Sequence, residues 1–553
     1  MMAFARNRDF PRDWRLVEGD GFSAWLWARN RALREELALW CGRTAQALGR
    51  GGAGLASVAG GLSGKNLGWA LAMRTNRGWL AACDRVRSVP LFYKAGDSSS
   101  PFRVGESARE LGDGRLVTAS SLAVLDFALC GYVTGQETLY EGVRGVQAGE
   151  LAWLPDQGRP ETQRYYRFLH RESAVSDERE LFPLLDAAYR EAFGLLASDL
   201  AGRQLLVPLS GGMDSRLVLA GLVEAGLDNI LCFSYGPPNS WEVATARAVA
   251  KRAAAPWRHV PFSRGAWRAA YASEAWERAE SFAWQGVSLF NPAEWLAIPI
   301  LQSQGLLEPG AVFLPGHTGD FISGGHIPKF LAKAPEASES EIIYALLDKH
   351  HGLWRPYDQD PALKELIFDR VRNRVDGLSW DGAVAGANAF ECWEWQERQA
   401  KFIVNSVRGI EAHGYSWRLP LWENPFMDAW ARAPLRYRLR QGLYRAWLAE
   451  RNPAGLFARK AAPPPFWEQR GGRAKQLYGL AGDLGARLLP AGLLKRVSLF
   501  RNYFRHPMAI TGVLGPLEYW RESRGARNLN SLLTSRILQR LGLKDSPPRT
   551  WRA

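Results

Sequence analysis

Between residues 203 and 262, apolar strand-length runs alternate with helical periods, and this alternation constrains the fold more than any other feature of the chain. QLLVPLS reads as a strand buried on both faces, SRLVLAGLVEAG as a helix stopped by Gly226, NILCFSYG as a second strand, WEVATARAVAKRAA as a second helix and WRHVPFS as a third strand. Strand–helix–strand in this order requires parallel pairing through right-handed crossovers, and such sheets bind ligands beyond the C-terminal ends of their strands. A further strand, AVFLPG (311–316), ends at His317-Thr318-Gly319-Asp320 and places those residues at a similar edge. Residues 385–450 read as helical, with NAFECWEWQERQAKFIVNSVRGIEAHG as the longest pattern.

The chemistry is expected in the turn after the first of these strands, Pro208-Leu209-Ser210-Gly211-Gly212-Met213-Asp214-Ser215. Two glycines let backbone N–H groups approach a phosphate, and Ser210 and Ser215 add hydroxyl donors. The N-terminus of the following helix adds a partial positive charge for the same anion. Asp214 is out of place in an anion cradle unless a divalent cation bridges it to the phosphates, and Mg²⁺ is commonly held by one or two carboxylates plus phosphate oxygens. The loop lacks the lysine of a Walker P-loop, which disfavours a γ-phosphate-binding NTPase.

At 553 residues the chain has room for two to four domains. Residues 1–165 hold short β-type runs such as GWLAACDRV, VPLFYKA and ELAWLPDQG, and the polar, Pro-bearing PDQGRPETQ (155–163) reads as a linker. No run of about 18 apolar residues occurs, and the N-terminus carries charges where a signal peptide needs an apolar core. Five scattered cysteines, none in CxxC spacing, are neither a disulfide framework nor a zinc site, so a soluble, cytoplasmic protein is expected. Residues 431–553 hold 24 Lys and Arg against 6 Asp and Glu, while the other 430 residues carry a small acidic excess. A basic C-terminal segment fits either an anionic partner or a solvated arginine-rich surface, and no RNA-binding module signature accompanies it.

SGGMDS in this context resembles the pyrophosphatase-loop enzymes, and within them the asparagine synthetase family. The resemblance extends to Trp241-Glu242, which is similar to an acidic residue opening the next helix. It includes Gly316-His317-Thr318-Gly319-Asp320, in the place of a G-x-G-x-D motif, and Arg418-Leu419-Pro420-Leu421-Trp422-Glu423, similar to R-x-P-F-L-D. Asp84-Arg85-Val86-Arg87-Ser88-Val89-Pro90-Leu91-Phe92-Tyr93, Gly131-Tyr132-Val133 and Gly149-Glu150 resemble the N-terminal glutaminase-like domain of the same enzymes. The fold implied is an α/β synthetase domain of the adenine nucleotide alpha hydrolase type behind a degenerate, α+β glutaminase-like domain of the Ntn type. The expected boundaries are 1–165, 166–465 and a basic, mostly helical extension 466–553.

The resemblance implies a two-step reaction: ATP adenylates a carboxylate with release of pyrophosphate, then an amine attacks to give an amide and AMP. It implies ATP and Mg²⁺ as cofactors, Asp214 and Asp320 as metal ligands, Leu209, Ser210, Gly211, Gly212, Asp214, Ser215 and Gly316 as the nucleotide and pyrophosphate site, and Lys460 as a catalytic cation. Relatives carry a Gly-Lys before the last core helix where this chain has Gly442-Leu443-Tyr444-Arg445, with Arg440 or Arg445 as substitutes. His317 stands where relatives place an acidic residue or a tyrosine. It is either the base that deprotonates the amine or a loop hydrogen-bonder, with Glu397 or Glu411 as the carboxylate that orients it.

Glutamine-dependent relatives begin with Cys after the initiator Met, whereas this chain begins Met1-Met2-Ala3-Phe4. Its nitrogen is therefore expected from ammonia, a separate glutaminase or a substrate amine. The expected partners are a small-molecule or peptide carboxylate and a second copy of the chain in a homodimer, with no membrane span and no clear nucleic acid. Sugar-acid amidation for a surface polysaccharide and peptide or lactam cyclisation are the two substrate classes in view. An RNA-modifying pyrophosphatase-loop enzyme and a non-catalytic nucleotide-binding relic are the alternatives.

Overall fold

The structure is a computed structural model that describes residues 4–457 apart from 8, 50–53, 97–101, 239, 293 and 355–359, and residues 497–543 apart from 498, 501, 502, 505 and 507. The N-terminal unit opens with β1 (Arg15–Gly19), β2 (Phe22–Ala28), β3 (Trp69–Thr75) and β4 (Gly78–Cys83). A small sheet follows from β5 (Phe92–Lys94), β6 (Arg103–Gly105) and β7 (Val143–Gly145), and β8 (Glu150–Pro155) and β9 (Glu161–Arg164) return to the first sheet. The orders are β1-β2-β3-β4-β8-β9 and β6-β5-β7, and every neighbouring pair is antiparallel.

β3 and β4 are apolar at nearly every position because both of their faces are covered. Alternation sends Leu71, Met73 and Leu80 towards Leu37 and Trp40 of the helix Arg31–Gly49. It sends Ala70, Ala72 and Ala81 towards Leu91, Tyr93 and Val104 of the small sheet. The outer face of that sheet puts Phe92 against Val124 and Phe127 of the helix Leu122–Cys130. The unit is thus layered helix, sheet, sheet, helix. Asp84 pins its centre by accepting four backbone N–H groups, from Gly68, Trp69, Val86 and Ser88. The polar run 155–163 is not a linker but the β8–β9 hairpin, in which β9 is the edge strand, and the chain leaves the sheet after Arg164.

In the C-terminal unit β10 (Leu205–Pro208), β11 (Ile230–Gly236), β12 (Trp257–Pro261), β13 (Val312–Phe313) and β14 (Ser416–Trp417) form an all-parallel sheet in the order β12-β11-β10-β13-β14. Strand order reverses at β10, so the loop leaving its C-terminal end lies at the switch point where open α/β sheets bind ligands. The helices Met213–Glu224 and Trp241–Arg252 are the crossovers the sequence pattern requires.

The long helical pattern 388–414 departs from expectation. An α-helix, Ala383–Glu394, widens into a π-helix, Trp395–Ile403, and then tightens through Val404–Val407 before one last α-turn, Arg408–Glu411. The wide turns point Gln396, Glu397 and Lys401 all inward. Such helices often mark functional sites. The described C-terminal residues are docked rather than free. Trp267 Nε1 donates to Met508 O at 2.6 Å, and Ile537 and Leu538 join the Phe127 cluster. Arg536 pairs with Glu518 and Glu522, so part of the basic surplus is neutralised within the extension. No helix of the described residues is long and apolar enough to cross a membrane.

Candidate active site

The loop 209–212 leaves β10 as a tight turn held by its own serines. Ser210 N–H donates to Ser215 Oγ at 3.0 Å, the two hydroxyls are 3.1 Å apart, and Gly212 N–H donates to Ser210 Oγ at 3.1 Å. Leu209 is spent on the sheet: its N–H donates to Phe233 O at 2.8 Å, its carbonyl accepts from Ser234 Oγ at 2.6 Å, and its side chain is core. It anchors the loop, and its N–H is not free for a nucleotide.

The segment after β13 crosses directly over this loop. A Cβ on Gly316 would lie 2.5 Å from Ser215 N, so that glycine is demanded by close approach of backbone, and one on Gly319 would lie 2.6 Å from Asp214 Oδ1, so that glycine makes room for the carboxylate. Thr318 stands between them with φ +91°, at the second glycine of the G-x-G-x-D pattern. A β-branched residue is strained there, at a cost of about 1–3 kcal/mol. The bond from Trp422 Nε1 to Thr318 Oγ1, 3.0 Å, holds it in place.

This crossing brings Asp214 and Asp320 together. Asp320 N–H donates to Asp214 Oδ2 at 2.8 Å, and Tyr444 of the helix Gly442–Arg451 donates its hydroxyl to Asp214 Oδ1 at 3.0 Å. Burial, and then the charge of Asp320, push the Asp214 carboxyl up to about 7. Asp320 stands at the open mouth, its Oδ1 accepting from Phe321 N–H at 2.8 Å and its Oδ2 lying 3.1 Å from His326 Nε2. His326 Nδ1 bonds Glu394, which is fully buried and also takes Lys349 Nζ at 3.1 Å. Burial alone would lower His326, but Glu394 and Asp320 together raise it to about 9, so it is an imidazolium at neutral pH. Against the upward push of burial, His326 in turn holds Asp320 below the usual carboxylate range.

Two carboxylates converging at a loop of serines and glycines suit a divalent cation that takes its remaining ligands from phosphate oxygens. Burial and the neighbouring carboxylate both disfavour the charge on Asp214, and a bound cation would restore it. The residues present therefore fit Mg²⁺.

His317 points into the interior beside this pair. Its Nε2 makes a long 3.5 Å contact with Ser406 Oγ, and its Nδ1 has no hydrogen-bond partner among the described residues. Ser406 gives its own hydrogen to Ile403 O at 2.7 Å, so it accepts from His317 Nε2–H and leaves the lone pair on Nδ1. Burial pushes His317 down to about 4, which keeps the ring neutral at physiological pH.

Neither carboxylate expected to orient His317 touches it. Glu397 is buried in an ion pair with Lys401 at 2.6 Å and also accepts from Gly135 N–H at 2.9 Å. Glu411 is held by Arg12 and Arg408, each at 2.8 Å, and by Trp417 Nε1. Glu411 is drawn to Arg12 across the seam between the units and Glu397 to Lys401 on its own helix, so neither stands where it could orient His317, and the expected placement of Glu397 beside that histidine is corrected. Lys460 lies outside the described residues. Arg440 and Arg445 are exposed, and it is Tyr444 that the last core helix turns towards Asp214. Glu242 is half-buried in the first turn of its helix. Arg418 pairs with Asp199 at 2.6 Å and reaches Arg29 O, while Glu423 pairs with Arg29, so that segment clamps the two units together.

Sequence reasoning missed His326, Glu394 and Tyr444. The only local signal was Gly324-Gly325, a turn with Gly324 at φ +88° that folds His326 back over Asp320.

A phosphate-type loop at the switch point of a parallel sheet, facing a carboxylate pair, defines an α/β synthetase domain of the nucleotide-binding class. The family model described as asparagine synthase matches residues 200–477, which span this sheet and both carboxylates, and the chain belongs to the asparagine synthase family. No curated protein matches the chain. Membership places it among ATP-dependent carbon–nitrogen ligases of the asparagine synthetase type.

Proposed function

We propose that the protein adenylates a carboxylate with ATP and Mg²⁺, releases pyrophosphate, and passes the acyl group to ammonia or an amine. The observation that carries this reading is the Asp214–Asp320 pair set against the SGGMDS loop. Asp214 and Asp320 hold the cation, which when bound supplies positive charge for the phosphates as the pyrophosphate leaves. Ser210, Ser215 and the N–H groups of Gly211 and Gly212 exchange their mutual bonds for phosphate oxygens. Gly316 lies on the backbone of this loop, and in this reading Lys460 keeps the role of catalytic cation that the family resemblance implies. His326, tied to Glu394, keeps Asp320 ionised and fixed in direction.

In the second step His317 Nδ1 takes the proton from the attacking amine. The lone pair of Nδ1, without a partner among the described residues, supports this role, since a neutral imidazole can act as base.

The nitrogen source in this reading is ammonia, a partner glutaminase or a substrate amine. Burial raises all five thiols, those of Cys41, Cys83, Cys232 and Cys392 to about 12, so none is poised as a nucleophilic thiolate. The N-terminal unit, residues 1–165, is then a degenerate glutaminase-like domain, a reading supported by its helix–sheet–sheet–helix layering. The synthetase domain is 166–465 and the extension 466–553. Amidation of a sugar acid or closure of a peptide or lactam ring are the substrate classes this reading carries forward.

The test is equilibrium titration with ATP in the presence and absence of Mg²⁺. Wild type is expected to bind far more tightly with the metal, and Asp214→Asn is expected to lose that metal dependence. Equal Mg²⁺ dependence in both proteins would defeat the assignment.

A further inference from the structure

The seam between the units holds a cavity of about 460 Å³ that shares no lining residue with the site above. Its volume lies in the range of metabolite pockets, but its walls are polar where such pockets are mostly apolar. Five carboxamides line it: Gln136, Gln147, Gln163, Asn373 and Gln396. Gln136 and Gln396 spend both ends of their amides on protein neighbours and Gln163 its Nε2, which leaves Gln147 Oε1 and the Asn373 carboxamide, a donor beside an acceptor, for hydroxyls on a ring.

Gln147 is 2% exposed; its Nε2 donates to Gly145 O at 2.7 Å, and its Oε1 has no partner among the described residues. A buried acceptor left in this state is destabilising unless something inside the cavity donates to it.

Four guanidiniums and three carboxylates, Glu137, Glu150 and Asp376, share the walls. Arg374 is neutralised by Glu137 at 3.0 Å, and Arg164 lies 3.6 Å from Glu150. The other two have no ion pair among the described residues. Arg167 donates to the carbonyl of Asp376 at 2.7 Å, and Arg144 meets the Tyr93 hydroxyl. Planar guanidiniums with unspent charge recognise carboxylate and phosphate groups.

We propose that this seam cavity binds a small hydroxylated anion, a uronic acid or a sugar phosphate, with Arg144 and Arg167 taking the anionic group and Gln147 and Asn373 taking hydroxyls. This inference stands apart from the ligase reading, since it uses neither the nucleotide loop nor the carboxylate pair.

The experiment is a calorimetric titration of the full chain with glucuronate, glucose 1-phosphate and glucose. Wild type is expected to bind one of the two anions at least roughly tenfold more tightly than glucose, the margin a charge-assisted contact gives. Preference for glucuronate identifies a carboxylate ligand, and preference for glucose 1-phosphate a phosphate. Arg144→Gln with Arg167→Gln is expected to remove that preference, while Arg144→Lys with Arg167→Lys keeps part of it. Thermal unfolding of each variant checks the fold, and the comparison among the three sugars on wild type stands even if a variant does not fold. No binding of any of the three at about 10 mM, weaker than a built site gives, overturns the proposal. Binding that the glutamine variants leave unchanged overturns it equally.

Discussion

Glu294 offers a stability test whose sign and size both follow from its surroundings. It is 4% exposed and receives a single side-chain bond, from Tyr235 OH to Oε1 at 3.3 Å. Burial pushes its carboxyl from the ordinary 4.5 up to about 7. Between those two values the unfolded chain has lost this proton and the folded chain keeps it, so stability falls as pH rises through the window. At about 1.4 kcal/mol for each tenfold change in proton affinity, that gap is worth about 3 kcal/mol, present below 4.5 and lost above about 7. Glu294→Gln keeps an acceptor for Tyr235 and has no proton to lose. Calorimetric unfolding of both proteins across pH is expected to show equal stability near pH 4.5 and a variant more stable by about 2–3 kcal/mol near pH 8. A difference that stays constant with pH, or that favours wild type at high pH, would refute the reasoning.

Two further tests concern the site. Gly316→Ala sets a methyl 2.5 Å from Ser215 N, a backbone atom that has no room to yield, so nucleotide binding is expected to fall by at least tenfold while Gly194→Ala, an exposed helical control with open space around it, leaves it intact. His317→Ala is expected to leave carboxylate-dependent exchange of pyrophosphate into ATP nearly unchanged but to lower amide formation by about 10²–10⁴-fold. Because burial holds His317 down near 4, the basic form persists through neutral pH and the activity limb it controls is expected near that value rather than near 6.5. Equal loss of both half-reactions would assign His317 to the loop instead.

The strand and helix pattern from 203 to 262 was legible because each element is strongly periodic and bounded by its own turn. β13 was less so: AVFLPG reads as six extended residues, but only Val312 and Phe313 pair as strand before the chain turns to cross the Asp214 loop. PDQGRPETQ misled because a polar hairpin on an edge strand has the composition of a linker. The pattern 388–414 carried no sign of its π-helical stretch, since the positions of Glu397 and Lys401 are set by Gly135 and Val133 on the other unit. Glu397 illustrates the limit well. The helical pattern offered Glu397 or Glu411 as the partner of His317 without a choice between them, and a cation four residues away claimed Glu397. Contacts such as Tyr444–Asp214 and His326–Glu394 join residues 230 and 68 positions apart, and no local spacing encodes them.

The most direct measurement of the central claim follows oxygen. Sugar-acid and peptide carboxylates labelled with ¹⁸O would be incubated with the protein, ATP, Mg²⁺ and ammonium, and the nucleotide product weighed by mass spectrometry. Adenylation requires one carboxylate oxygen to end on AMP, with pyrophosphate as the other product. AMP carrying one ¹⁸O is the outcome expected. ADP with inorganic phosphate, or AMP without label alongside a formed amide, would contradict the account.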